Sequence, residues 1–172
     1  MQYQISYFSP NGHAEILVNA FCQMLPRDTY VSNLEEEMTP CADIQLVGFD
    51  IGGSNLDAIP FKVMEYLEQL EGKTILLFAT VPLAPNDYVR SRVDHAVIPF
   101  LPDECDYLGL YLCSAQPPAT LIAELKNVIS HHPENSRAKH WLEQCEKAVG
   151  HPDRSDVQKA CQFVRHVLRL DT

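Results

Sequence analysis

Residues 5–15 read Ile5-Ser6-Tyr7-Phe8-Ser9-Pro10-Asn11-Gly12-His13-Ala14-Glu15. A short apolar run passes through a Ser-Pro-Asn-Gly turn straight into a helical pattern. A turn of this composition points backbone N–H groups inward, and the helix behind it adds unpaired N–H groups and the positive end of its dipole. The natural guest of such a cradle is an anion. The same residues also suit a plain strand-to-helix connector, because the loop is neither GxGxxG nor a Walker A sequence and carries no Lys.

Outward from this turn, strands and helices alternate. Runs at Tyr3 to Phe8, Ile44 to Phe49, Thr74 to Thr80 and Tyr107 to Cys113 are short, nearly continuously apolar and bounded by turn residues. Strands buried on both faces of a parallel sheet have that form. Thr29 to Ser32 is a weaker strand candidate. Between them, Ile16, Leu17, Ala20, Phe21 and Met24 share one helical face, and Ile59, Val63, Tyr66, Leu67 and Leu70 repeat the spacing. Further helices are expected from Asp87 to about Phe100, Pro118 to Ser130, Glu134 to Val149 and Arg154 to Leu170. Such repeats imply right-handed crossovers and a doubly wound α/β fold. Ligands of these sheets sit beyond the carboxyl ends of the strands, here the loops Ser9 to Ala14, Asp50 to Asp57, Val81 to Asp87 and Ser114 to Pro117.

The 172 residues, 46% of them hydrophobic, suit one substantial core. A single domain over 1–172 is expected, with 132–172 a helical tail packed on it. Thirteen basic against 23 acidic residues give a formal charge of −10. That charge disfavours nucleic acid or an anionic membrane as partner and favours a basic protein surface. The six cysteines are scattered without a CxxC, and no signal-like apolar run precedes the first strand. A reducing, cytoplasmic setting is the expectation.

Six stretches stand out together: Ser9-Pro-Asn-Gly-His-Ala14, the strand Leu46-Val-Gly-Phe49 with its loop, Glu65-Tyr-Leu-Glu-Gln-Leu-Glu-Gly-Lys73, Leu76 to Thr80, Leu108 to Cys113, and Gly150-His-Pro-Asp-Arg-Ser-Asp-Val157. In order and spacing they resemble the flavodoxin family, specifically its members from anaerobic bacteria with a long helical tail. The resemblance implies a flavodoxin-like three-layer sandwich, with a five-stranded parallel sheet of order 2-1-3-4-5 and extra C-terminal helices. It also implies flavin mononucleotide (FMN) at the strand ends and electron transfer to or from a redox partner protein. Carried onto this chain, Ser9, Asn11, Gly12, His13 and Ala14 would surround the phosphate. Asp50, Gly52, Gly53 and Ser54 on one side, and Thr80, Val81, Pro82 and Tyr88 on the other, would flank the ring.

The chain departs from the family pattern at these positions. Asn11 and Ala14 stand where hydroxyl residues are usual. A lost hydrogen bond to a charged group is worth about 1.5–3 kcal/mol, roughly one to two decades of affinity, so FMN binding in the micromolar range is expected. Asp50 and Gly53 fall at about the positions where relatives carry a stacking aromatic residue and an Arg. Cys113-Ser-Ala-Gln-Pro117 lacks the Lys of the related Cys-Gln-Gly-Lys loop. A carboxylate at Asp50 beside a flavin would lower its reduction potential by like-charge repulsion.

No HxxxH pair, GxSxG elbow or Cys-His pattern supports metal hydrolysis or nucleophilic catalysis. Glu35-Glu-Glu37 reads as an exposed acidic turn available for docking, and Trp141 with Leu142 and Val149 as tail core. Two functions follow: an FMN-dependent electron carrier, or a flavodoxin-like module that has lost its flavin and serves as a binding or accessory subunit of a redox enzyme.

Overall fold

A computed structural model describes residues 1–170 of the chain. Five strands, β1 (Tyr3–Phe8), β2 (Tyr30–Asn33), β3 (Ile44–Asp50), β4 (Thr74–Val81) and β5 (Asp106–Ser114), form one sheet of order β2-β1-β3-β4-β5, and every pair is parallel. Six helices cover it: α1 (His13–Met24), α2 (Phe61–Leu67), α3 (Asp87–Val97), α4 (Ala119–His131), α5 (Ser136–Lys147) and α6 (Arg154–Leu168). A 3₁₀ turn, Ile98–Phe100, ends the stretch expected to be helical up to Phe100. No helix among the described residues is long and apolar enough to cross a membrane.

Strand parity divides the core in two. Ile44 and Leu46 of β3, with Leu76 and Phe78 of β4, pack with Ala14, Leu17, Val18 and Phe21 of α1 and with Ala160 and Val164 of α6. Their alternates Val47, Phe49, Ile75, Leu77 and Ala79 face the other layer, with Val63 of α2, Val93 of α3, Leu121 of α4 and Cys145 of α5. The tail thus splits, α5 on one face and α6 on the other. The inner face of α1 differs from the expected one: Ile16 is 41% exposed, while Ala14 and Val18 are buried in its place. Val149, expected beside Trp141 in the tail core, is exposed, because α5 ends at Lys147 before it.

Gly48 has a steric reason. A Cβ there would lie 2.2 Å from the Phe78 ring, which crosses over β3 to meet Phe21 edge-on at 5.0 Å between centroids. At the start of α6, Asp153 and Asp156 form a reciprocal capping box, which satisfies two N–H groups that the helix cannot bond internally.

Under α2 the core is polar. The Gln4 amide donates to Ser32 Oγ at 3.1 Å, and its Oε1 accepts from Gln45 Nε2 at 3.1 Å and from the Cys41 N–H at 2.9 Å. The Tyr66 hydroxyl donates to Gln45 Oε1 at 2.9 Å and accepts from Ser6 Oγ at 2.9 Å. Gln4, Ser6 and Gln45 have no exposure, so every member relies on another. Tyr66→Phe leaves Gln45 Oε1 without its phenolic donor and is expected to cost about 1–3 kcal/mol, read as a lowered urea midpoint. An unchanged midpoint would show that the network is slack.

Burial pushes Tyr66 and Tyr111 from 10.0, and Cys113 from 9.0, up to about 12. A raised folded-state pKa means that unfolding releases protons once pH passes the ordinary value. The stability tied to these neutral forms is therefore complete below about pH 9 and is lost as pH climbs toward about 12. Urea midpoints should hold up to about pH 9 and decline by about pH 11; a flat profile over that interval would contradict the assignment.

Candidate functional site

The Ser-Pro-Asn-Gly turn folds as its composition demands. The Gly12 N–H donates to the Ser9 carbonyl at 3.0 Å, and Gly12, at φ 77° and ψ 3°, takes the left-handed conformation that admits the chain to α1. Gly12 has no side chain with which to cap the helix. The cap comes from 36 residues downstream: Oδ1 of Asp50 accepts the Ala14 N–H at 2.7 Å.

The Asp50 carboxylate organises the whole turn. Its Oδ2 accepts from Ser9 Oγ at 2.8 Å and from the Asn11 N–H at 3.2 Å, while Oδ1 also accepts from Thr80 Oγ1 at 2.8 Å. Ser9 Oγ in turn accepts the Glu15 N–H at 3.2 Å. Asp50 is only 6% exposed. An ionised group in such a place needs strong compensation. Four donors and the positive end of α1 supply it, without a paired Lys or Arg.

The carboxylate is placed by strand parity. Asp50 shares its face of β3 with Ile44, Leu46 and Gly48, the face that α1 covers, and its register partner on β4 is Thr80. Expected beside a ring, Asp50 instead lies under the turn expected to hold a phosphate. Ala14 also differs in part: its methyl is fully buried in the core, and its N–H is the functional group. The sequence carried the signal for both, since the alternation through Ile44, Leu46 and Gly48 already aims residue 50 at the start of α1.

Beyond the cradle, Asn11, His13, Gly52, Pro82, Gln116 and Pro118 are among the residues lining a crevice of about 260 Å³. Its lining contains no Phe, Tyr or Trp. Gly52 approaches the first loop closely; a Cβ on it would lie 2.8 Å from Asn11 Nδ2. Other expected residues are elsewhere. Val81 is buried in the core. Gly53 and Ser54 are exposed, and Ser54 borders a separate cleft beside Trp141 and Arg137. Tyr88 is 58% exposed, and its hydroxyl accepts from Arg92 Nη1 at 3.0 Å. Arg92 also pairs with Asp57 at 2.6 Å and holds that carboxyl below its ordinary range. The Arg92 pairing, invisible to motif reading, ties the β3–α2 loop to α3.

The tail reaches the same edge. Gln116 receives the Gly150 N–H on its Oε1 at 2.7 Å and donates its own N–H to the His151 carbonyl at 2.6 Å, while the Ala84 N–H donates to the Gln144 carbonyl at 3.2 Å. The β5 and β4 loops are thereby fastened to the α5–α6 turn and to α5.

A parallel sheet of order 2-1-3-4-5, with an N–H-lined turn between its first strand and helix, defines the doubly wound proteins that carry their site at the β1/β3 switch point. A family model described as flavodoxin domain matches residues 4–165, and the chain belongs to that family. It is similar to the flavodoxin-like domain-containing protein BilS of Clostridioides difficile (strain CD3), at 22% identity over 104 residues, 60% of this chain and 59% of BilS. The match therefore spans less than two thirds of that relative. Among solved structures, a short-chain flavodoxin associated with a non-canonical PDU bacterial microcompartment shares 14% identity, with a TM-score of 0.45 over 65% of this chain and 82% of that one.

The family makes FMN the group to test against these residues, and they do not fit its phosphate. The Asn11 and Ala14 N–H groups and the Ser9 and Thr80 hydroxyls already serve Asp50, and a second anion would meet a buried carboxylate. At about 4 Å and an effective dielectric near 20, like unit charges repel by about 4 kcal/mol. That is about three decades of affinity.

The turn itself yields a prediction. Nothing lies within 4 Å of a Cβ at Gly12, yet its φ is +77°. Gly12→Ala is therefore expected to cost about 1–2 kcal/mol from backbone conformation alone. A chemical-denaturation midpoint equal to wild type would show that the turn relaxes into another conformation.

Proposed function

We propose that this chain is a flavodoxin-fold accessory module of a redox system, one that docks on a basic partner surface and does not hold FMN by its phosphate. The observation that carries the reading is the Asp50 carboxylate, which accepts all four donors of the cradle. The crevice supports it too, since its lining offers a flavin ring no Phe, Tyr or Trp to stack on, and His13 is its one ring other than proline. The docking surface rests on charge. Glu35, Glu36 and Glu37 are exposed, and the latter two border a cleft of about 470 Å³ with Glu65, beside Lys62. Asp50, being buried, is not part of that surface.

A second reading, the FMN electron carrier, is favoured by the family match over residues 4–165 and by the retained left-handed Gly12 turn. Under that reading the flavin supplies the electron chemistry, and the chain's own residues would bind and orient it.

Flavin titration separates the two. The 4 kcal/mol repulsion takes a micromolar site to about millimolar, so purified protein should be colourless, and FMN fluorescence should show no saturable quenching at micromolar concentrations. Flavin that co-purifies and survives dialysis overturns the proposal in favour of the carrier. For the docking half, a redox enzyme cross-linked to the chain at low salt should associate more slowly as salt rises to about 0.5 M, and more slowly with Glu36→Gln and Glu37→Gln. Association indifferent to both would reject the acidic surface.

A further inference from the structure

We infer that the Asp50 side chain is an intramolecular stand-in for a phosphate: the anion cradle of this fold is intact in this chain and permanently filled by the chain's own carboxylate. The inference deepens the accessory-module reading and rests on the same site, but it makes a separate claim about what lies beneath the carboxylate.

The argument is one of donors. An anion cradle at a helix N-terminus is built from convergent backbone N–H groups and hydroxyls around a left-handed turn. All of these are present. The Asn11 and Ala14 N–H groups and the Ser9 and Thr80 hydroxyls converge on one carboxylate at 2.7–3.2 Å, and Gly12 holds the turn at φ 77°. A degraded loop would have lost this convergence. Three of the donors belong to the Ser9–Ala14 turn and the fourth comes from the end of β4, so the local turn alone does not explain their meeting. A negatively charged oxygen group at their focus does, and Asp50 delivers one covalently on β3. Each hydrogen bond to the carboxylate also closes a contact between two of these elements, so the filled cradle is a clamp on the strand ends that requires no ligand.

Two consequences distinguish this from an ordinary buried Asp. The wild-type protein should be indifferent to phosphate, because its cradle is full. Shortening the side chain and removing its charge should expose the donors to an external anion of the same chemistry. Asp50→Ser leaves a small hydroxyl and space for an anion, whereas Asp50→Asn keeps the shape and an acceptor oxygen but loses the charge.

The experiment measures the thermal midpoints of wild type, Asp50→Ser and Asp50→Asn in inorganic phosphate, against sodium chloride of equal ionic strength. Wild type should show no phosphate-specific shift. Asp50→Ser should melt lower in chloride and recover in phosphate, with a dissociation constant at least about tenfold tighter than any wild-type value; saturating ligand raises stability by mass action. Asp50→Asn should melt between the other two and gain less from phosphate than Asp50→Ser. If Asp50→Ser does not fold in chloride, folding rescued by phosphate supports the inference and failure of rescue overturns it. Equal response of all three proteins to phosphate and chloride also overturns it, while leaving the accessory-module reading untouched. FMN bound tightly by the wild type would instead defeat that reading, and competition by inorganic phosphate would show whether the cradle is the place.

Discussion

A single carboxylate under the first turn of α1 holds the strand-end half of this molecule together. Asp50 reaches Ser9 and Asn11 in the β1 loop, Ala14 in the helix and Thr80 on β4. Three elements thus meet, through four donors, on two oxygen atoms carried by a fourth, β3. A helix start needs acceptors for N–H groups it cannot bond internally; in α1 the local cap position is a glycine, so the acceptor is imported from β3. The charge costs solvation when buried and is repaid by charge-assisted hydrogen bonds and the helix dipole. Removing it would open a gap that water or another anion must fill.

The remaining strand-end loops are likewise satisfied from within. Gln116 is bonded to the α5–α6 turn, Ala84 to α5, and Asp57 to Arg92 on α3. The switch-point edge, where sheets of this kind expose groups to a ligand, has here spent much of its polar capacity on the chain itself. The module reading follows from that condition more than from the loss of any one residue.

Much of the fold was legible because buried parallel strands are nearly continuous apolar runs, and four of the five stood out on that pattern. Helix bounds and faces were harder. Ile16 carries the right hydrophobicity but the wrong angle on α1, and Ala14, small and easily read as filler, packs inward. Val149 fits the helical spacing of Trp141 but lies two residues beyond the end of α5. Resemblance of loop types puts Asp50 next to a ring. Strand alternation gave the better answer, as residues 44, 46, 48 and 50 share one side. The Tyr88–Arg92–Asp57 contacts and the Gln116 anchor were not legible, since each joins elements whose juxtaposition exists only in the folded sheet.

The polar layer beneath α2 also bears on how the strands choose their alignment. An apolar strand face tolerates a neighbour shifted by two residues, because one Val or Leu packs much like another. Gln4, Gln45 and Tyr66 do not allow it, since each donor has a particular oxygen as its partner. Sliding β1 along β3 by two positions would part Gln4 from Gln45 and set it against Val47 or Asp43 instead; sliding it by one would turn the amides to the opposite layer. The three residues therefore act as a key that admits one pairing of β1, β2 and β3 and penalises the near-misses, a selectivity that an all-hydrocarbon interior of equal stability would not provide.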